Sequence, residues 1–355
     1  MEGRKLSREK SSEELRKIQV TGGSTYIISL PKTWIDQMGL KRSSVVSIVQ
    51  RDDMSLSIRP KGIESPDRVK KVIITIQQGE KPEGIVRRLV SSYINGYSII
   101  QVRSTEKRID LEARFAIKDF VRKKLVGTEI LSDLPNELTL QILLSYSELS
   151  VKDALRRMSI IAASMHRDAI QTLSTDNPRI AKEVVNMDDE VDRFSFYVIR
   201  LLNVAVMDAH VLKESSIGTP RQCLGYRLIT KSVERMADHA TNIAQNRLAL
   251  HLVPINDEIL LELNRISLSA IKVFEASMES LFDEEYAEAD KVMEAAEETR
   301  GMEDEVIHKI VKLAPVEDVP QLRLIVESIM RTSEYGADIA ETVLNMTVSD
   351  AVTEA

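Results

Sequence analysis

The stretch "IIAASMHRDAIQTLSTDNPRIAKEVVNMDDEVDRF", residues 160–194, returns in altered form as "KVFEASMESLFDEEYAEADKVMEAAEETRGMEDEVIHK", residues 272–309. Ala163-Ser164-Met165 aligns with Ala276-Ser277-Met278, and "NMDDEVD" (186–192) with "GMEDEVI" (301–307). A third pair follows each copy, "ERMADHATNIAQN" (234–246) against "RTSEYGADIAETVLN" (331–345). Apolar residues recur at helical spacing through both copies. Turn signals stand at Asn177-Pro178, Gly218-Thr219-Pro220, Pro254 and between Pro315 and Pro320. Each copy therefore reads as three helices, a long pair followed by a third. Two such units side by side predict a six-helix array with a shared aliphatic core, over 148–250 and 255–350.

Upstream of the repeat the texture changes twice. Residues 1–13 are charged and aperiodic and read as a flexible arm. Residues 14–61 carry short β-branched runs, "RKIQV", "TYIISL", "VVSIVQR" and "SLSIRP", punctuated by Gly22-Gly23 and Asp52-Asp53. Between the two pairs lies "PKTWIDQMGL", in which Pro31 suits a first helical turn and Gly39 a stop. A β-β-α-β-β unit this small buries little by itself. Ile27, Leu30, Trp34, Met38 and Leu40 need apolar partners from another copy, so a homodimer is expected. Residues 62–145 alternate strand-like and helix-like segments, "VKKVIITIQ", "KPEGIVRRLVSSYINGY", "SIIQVRS", "DLEARFAIKDFVRKKLVG" and "LTLQILLS". That order predicts a small α/β or α+β domain. It carries no phosphate loop or nucleotide fingerprint and reads as a rigid spacer or dimer platform.

Composition narrows the function. The chain of 355 residues is 43% apolar and 29% charged, as in globular proteins. Its net charge of -7 is uneven: residues 1–61 are basic, 62–145 mildly so, and the acids concentrate in the helical body. A basic head on an acidic body points to different partners at each end. The single cysteine, Cys223, excludes an intrachain disulfide or cysteine-based metal cage and fits a reducing, cytoplasmic setting. The polar start lacks a signal-peptide pattern, and the longest apolar runs are interrupted by Arg, Asn or Asp, so no membrane insertion is expected.

"RKIQVTGGSTYIISLPKTWIDQMGLKRSSVVSIV" resembles the AbrB/SpoVT swapped-hairpin DNA-binding family over residues 14–61. The resemblance implies an intertwined dimer whose hairpins and basic loops meet DNA, with Arg16, Lys17, Lys32, Lys41 and Arg42 as contact candidates. Such residues neutralise phosphates, and guanidinium groups also read base edges. Many family members have Gly-Asp where this chain has Arg42-Ser43-Ser44, so the turn there is expected to differ. A relative of this fold also serves as a dimerisation or antitoxin-like module.

In "SVERMADHATNIAQN" (232–246), Glu234, Asp238 and Asn242 are spaced i, i+4, i+8. At about 100° per residue they fall nearly opposite the apolar set Ile229, Val233, Met236, Ala240 and Ile243. The acids are thus expected on a solvated outer face, with His239 to one side. Asp188 and Asp192 repeat the i, i+4 spacing on the preceding helix, flanked by Asp189. If the helices are neighbours, the four carboxylates converge, and a divalent cation would relieve their repulsion. Acidic helices also carry such pairs as plain solvated faces, so spacing leaves both readings open.

The repeats, with "DDEVD" and "ERMADHATNIAQ", resemble the PhoU family of phosphate-uptake regulators over residues 148–348. That likeness implies two three-helix repeats able to hold metal on Glu/Asp-x-x-x-Asp motifs. The candidate ligands are Asp188, Asp192, Glu234 and Asp238, with Glu303, Glu334 and Asp338 in the second copy. The ion would be divalent or trivalent: iron, zinc, magnesium or manganese. Repeat two departs from the pattern, since Met330 replaces Glu234 and Ile307 replaces Asp192.

The fold class expected is multidomain: a small β-rich swapped-hairpin head, a small α/β or α+β middle domain, and an all-α body of two three-helix PhoU-like repeats. The expected function is a phosphate-responsive transcriptional regulator that binds DNA as a homodimer and is not an enzyme. The alternative is an adaptor without DNA binding, docking on the phosphate transporter ATPase or a signalling kinase. A helical carboxylate metalloenzyme is a further alternative, opposed by the lack of Glu-x-x-His pairs on interior faces and of a nucleophile, base and orienter set.

Overall fold

The computed structural model describes residues 14–50, 54–60, 70–144, 149–175, 177–251 and 255–353. The arm at 1–13, the Asp52-Asp53 turn and Pro254 lie outside the described residues. The chain divides into two compact units, 1–69 and 70–355.

The first unit is β-β-α-β-β. β1 (Gln19–Thr21) and β2 (Thr25–Ile27) form one antiparallel hairpin, and β3 (Val46–Gln50) and β4 (Leu56–Pro60) another. Gly22 and Gly23 supply the left-handed backbone (φ 63° and 83°) that turns the first hairpin. Helix α1 (Lys32–Gln37) lies between the hairpins, and the chain leaves it through Gly39. Ser43, which stands where the family places Gly-Asp, takes the left-handed conformation itself at φ 68°. Leu40 is buried, whereas Val20, Tyr26, Ile48 and Leu56 are all at least 60% exposed. Two-stranded ribbons with bare apolar faces are marginal alone.

The second unit opens with a four-stranded sheet ordered β5-β6-β8-β7. β5 (Lys71–Ile76) runs parallel to β6 (Ile99–Ser104), while β8 (Glu137–Ile142) is antiparallel to both β6 and β7 (Thr128–Leu134). β7 has no counterpart among the expected segments; its Glu, Ser and Asp break the apolar run that would mark a strand. α2 (Pro82–Ile94) and α3 (Leu111–Lys124) cover one face, burying Ile85, Leu89, Ile117 and Val121 on Ile74, Ile100, Val102, Leu138 and Leu140. Asp110 caps α3 by accepting a hydrogen bond from the Glu112 N–H at 3.0 Å, and Arg122, Lys123 and Lys124 fill its last turn, where cations suit the helix dipole.

The helical body follows as α4 (Val151–Gln171), α5 (Pro178–Ala205), short α6 (Ala209–Glu214), α7 (Gln222–Leu248), α8 (Asp257–Asp283), α9 (Tyr286–Arg300), α10 (Glu303–Leu313) and α11 (Val319–Thr347). These helices share one aliphatic core. Repeat one is α4, α5 and α7, and repeat two is α8, α9 with α10, and α11. The expected six helices are corrected on two counts. α6 is extra, and the middle helix of repeat two breaks at Gly301-Met302. Caps set the long helices: Asn177 accepts from the Arg179 N–H ahead of Pro178, and Asn256 from the Glu258 N–H. Gly336 on α11 meets α8 so closely that a Cβ would lie 3.0 Å from the Phe274 backbone.

The sheet domain and body are one unit because α5 packs on α2 and α3. Arg200 of α5, 1% exposed, donates to the carbonyl oxygens of Tyr93 and, at 3.0 Å, Tyr97. Its guanidinium lies 5.0 Å from the Tyr93 ring centroid. Asn203 donates to the Ile94 carbonyl at 3.0 Å, and Phe120 and Phe196 meet with centroids 6.0 Å apart.

Candidate functional site

The carboxylates of repeat one do converge. α5 and α7 pack against each other, and Asp188 and Asp192 on the first face Glu234 and Asp238 on the second closely enough for each pair to act on the other's ionisation. The expectation of a fully solvated outer face is corrected, since all four are half-buried. A helical wheel registers only a helix's own core stripe. Here the neighbouring helix and the end of α3 close over the remaining arc.

Burial and crowding act in the same direction. Desolvation, then the charges of Glu234, Asp188 and Asp192, push the Asp238 carboxyl up to about 7. Desolvation and the Asp192 charge raise Asp188 to about 6, with Lys124 opposing. Two ammonium groups offset the cluster. Lys124, the last residue of α3, bonds Asp192 at 2.7 Å and pairs with Asp189, and Lys231 pairs with Glu234 one turn away. Burial disfavours the Lys124 charge, but Asp189 and Asp192 outweigh it and hold its pKa above the ordinary value. Sequence reasoning missed Lys124, although the cationic last turn "RKK" of a helix ending near an acidic one was a usable signal.

The donor set suits a hard divalent cation by its chemistry: four carboxylates that repel in a partly dry seam. As they stand, no three His, Cys, Asp or Glu side chains among the described residues are grouped to hold one in common. His239 does not turn toward the acids. Its ring nitrogens lie 3.2 Å from Ser328 Oγ and 3.4 Å from the Tyr335 hydroxyl, both on α11. Desolvation lowers its pKa.

Repeat two does not reproduce the cluster. Glu334 pairs with Arg331 at 2.6 Å, and Asp338 on the same helix is exposed. Desolvation followed by Glu341 and Glu334 raises the Asp338 pKa, while Arg235 and Arg331 oppose. Glu303 opens α10 and makes no hydrogen bond or ion pair with either. The helix break lies immediately before it, so the position matching Asp188 falls at a helix start instead of mid-helix. In the N-terminal unit, Arg16, Lys17, Lys32, Lys41 and Arg42 are all exposed, and Arg16 pairs with Glu14.

Comparison with known proteins places names on both regions. Residues 155–246 match the PhoU domain model, and residues 19–65 match "Antidote-toxin recognition MazE, bacterial antitoxin". Two solved structures are similar to the chain. One is the phosphate transport system regulatory protein PhoU from Streptococcus pneumoniae: 16% identity, 57% of this chain and 96% of that chain covered, TM-score 0.48. The other is PhoU from Pseudomonas aeruginosa: 15% identity, 56% and 95% covered, TM-score 0.49. No curated protein matches the chain. Among the described residues no helix is long and apolar enough to cross a membrane. The chain therefore joins an N-terminal MazE/AbrB-like domain to a helical body that contains a PhoU domain.

Proposed function

We propose that the chain is a cytoplasmic, phosphate-responsive transcriptional regulator. Its N-terminal domain binds DNA as a homodimer, and its helical body reports phosphate status. The observation that carries this reading is the union in one chain of a MazE-like domain and a PhoU domain. The exposure of Arg16, Lys17, Lys32, Lys41 and Arg42 supports DNA contact, since accessible cationic side chains are what phosphate neutralisation requires. The bare apolar faces of both hairpins support dimerisation, because a second copy would cover them. The raised carboxyls of Asp188 and Asp238 support a cation held by Asp188, Asp192, Glu234 and Asp238, with Lys124 and Lys231 yielding their places.

Fluorescence anisotropy with promoter DNA from the protein's own phosphate-transport operon tests the DNA step. Affinity is expected to fall about tenfold or more between 50 and 200 mM salt, and Lys32→Glu with Lys41→Glu to weaken binding and flatten that slope. Absence of salt-sensitive binding would leave the adaptor reading, docking on the phosphate transporter ATPase, which the PhoU match supports by itself. Elemental analysis of protein purified without chelator tests the ion. Bound iron, zinc, magnesium or manganese is expected, and it should be lost in Asp188→Ala with Glu234→Ala. Unchanged content in that variant returns the acids to a plain surface role.

A further inference from the structure

The sheet of the second unit has helices on one face only. Among the described residues, no element packs on the other face, which carries the alternate residues of all four strands. This face is not simply polar. Ile73 on β5 is 49% exposed, and Leu131 on β7 is 61% exposed. Ile73 opens a cross-strand row that ends at Ser132, and Leu131 is the bulged residue beside Ser132. Between them lie Gln101 and Thr139, 6% and 8% exposed. The Gln101 amide reaches Glu137, yet its Oε1 is buried without a hydrogen-bond partner. A buried acceptor left open on an uncovered sheet points to a donor arriving from outside the chain.

The register shows which donor. Across the sheet the three rows run Lys71, Ile99, Gln141, Glu129; Ile73, Gln101, Thr139, Ser132, with the bulged Leu131 beside Ser132; and Thr75, Arg103, Glu137, Leu134. A two-fold axis parallel to the strands, between β6 and β8, lays β5 over β7 and β6 over β8 of a second copy. Each row then meets itself reversed, and the charged positions meet opposite charge, while Ile99 meets Gln141 and Thr75 meets Leu134. Lys71 faces Glu129, Ile73 faces the Leu131–Ser132 bulge, and Gln101 faces Thr139, whose hydroxyl donates to Glu137 at 3.3 Å within one copy and would turn to Gln101 Oε1 in the dimer. The Arg103–Glu137 pair, with its 2.9 Å contact, faces its own inverse, so four charges alternate around the axis. An axis across the strands would stack Ile73 on Ile73 and set Arg103 on Ile99, which loses the charge matching. Self-complementarity of this kind is the signature of an isologous interface, and aligned face packing keeps strand directions close. Edge-to-edge pairing through β7 is disfavoured by the bulge between Ile130 and Ser132.

We propose that this open sheet face is a homodimer interface in which β5 of one copy packs on β7 of the other. It rests on the reading of the chain as a homodimer and names a contact outside the N-terminal domain. The test is cross-linking in the full chain, carried out on Ile73→Cys with Leu131→Cys. Within one chain the two positions are three strand spacings apart, about 14 Å, whereas face-packed sheets bring position 73 of one copy about 10 Å from position 131 of the other. The native Cys223 is buried. A thiol-to-thiol bismaleimide cross-linker too short to span the intrachain distance is expected to shift most of the double variant to a covalent dimer. Neither single variant should shift, whereas the two single variants co-expressed should. Lys71→Glu is expected to reduce cross-linking of the double variant, and adding Glu129→Lys to restore it. A species that is dimeric by light scattering but does not cross-link overturns this interface and leaves the homodimer reading standing. A chain of 40.0 kDa in solution overturns both. Cross-linking by Ile73→Cys alone overturns the strand-parallel axis.

Discussion

Asp238 shows how a residue can be identified from sequence while its environment is not. Its type and its spacing from Glu234 are plain in the chain, and so is its match to the Asp188, Asp192 pair. Its half-burial is not, because that depends on α5 crossing α7 and on α3 ending beside them. The consequence is measurable. The Asp238 pKa rises from 3.8 to about 7, so the fold opposes ionisation of this group. The destabilisation accrues as pH rises from about 4 towards 7, is complete above that, and disappears when the acid is protonated in both states. Asp238→Asn in the presence of chelator should therefore stabilise the chain at pH 8 by about 1 kcal/mol, after discounting for solvent screening. The gain should vanish at pH 4. Parallel melting curves of variant and parent at the two pH values would show it, and an equal difference at both would exclude an ionisation origin.

At the scale of elements, amphipathic periodicity located the long helices, because one buried stripe recurs at a period no loop sustains. It did not locate the break at Gly301-Met302, where "ETRGMED" keeps helical spacing across a glycine that a helix tolerates at modest cost. Nor did it find β7, whose alternation is diluted by polar residues and a bulge. Helix contact imposes its own demand at Gly336, where α11 approaches the Phe274 backbone with no room for a side chain. Gly336→Val forces α8 and α11 apart, and overpacking of this kind costs about 1–3 kcal/mol. The melting temperature should fall by about 4 °C or more. Gly225→Ala is the informative contrast. A Cβ there would meet the flexible Met346 side chain, which can swing aside, so a smaller drop is expected.

At the scale of the whole molecule, the joint between the sheet domain and the helical body turns on Arg200. This side chain is buried where the body meets α2 and satisfies two carbonyls, that of Tyr93 inside the joint and that of Tyr97 at its partly exposed edge. Arg200→Leu keeps much of the volume but strands both acceptors, at a cost of about 2–4 kcal/mol. Hydrogen exchange should show protection of residues 82–96 lost ahead of the helical core. Uniform loss across the whole second unit would show that the two parts do not separate. Periodicity and repetition determined, from sequence alone, that the body is a duplicated helical array, that the head is a β-β-α-β-β unit too small to bury its own core, and which carboxylates share a helix stripe. These are local properties, written at spacings of two to eight residues. Only the tertiary structure decided that the acids lie half-buried, that Lys124 neutralises part of them, that a helix break moves Glu303 of the second copy to a helix start, and that one sheet face is left open. Each depends on which elements meet, and contacts between residues more than 60 positions apart, such as Lys124 with Asp192, leave no period in the chain.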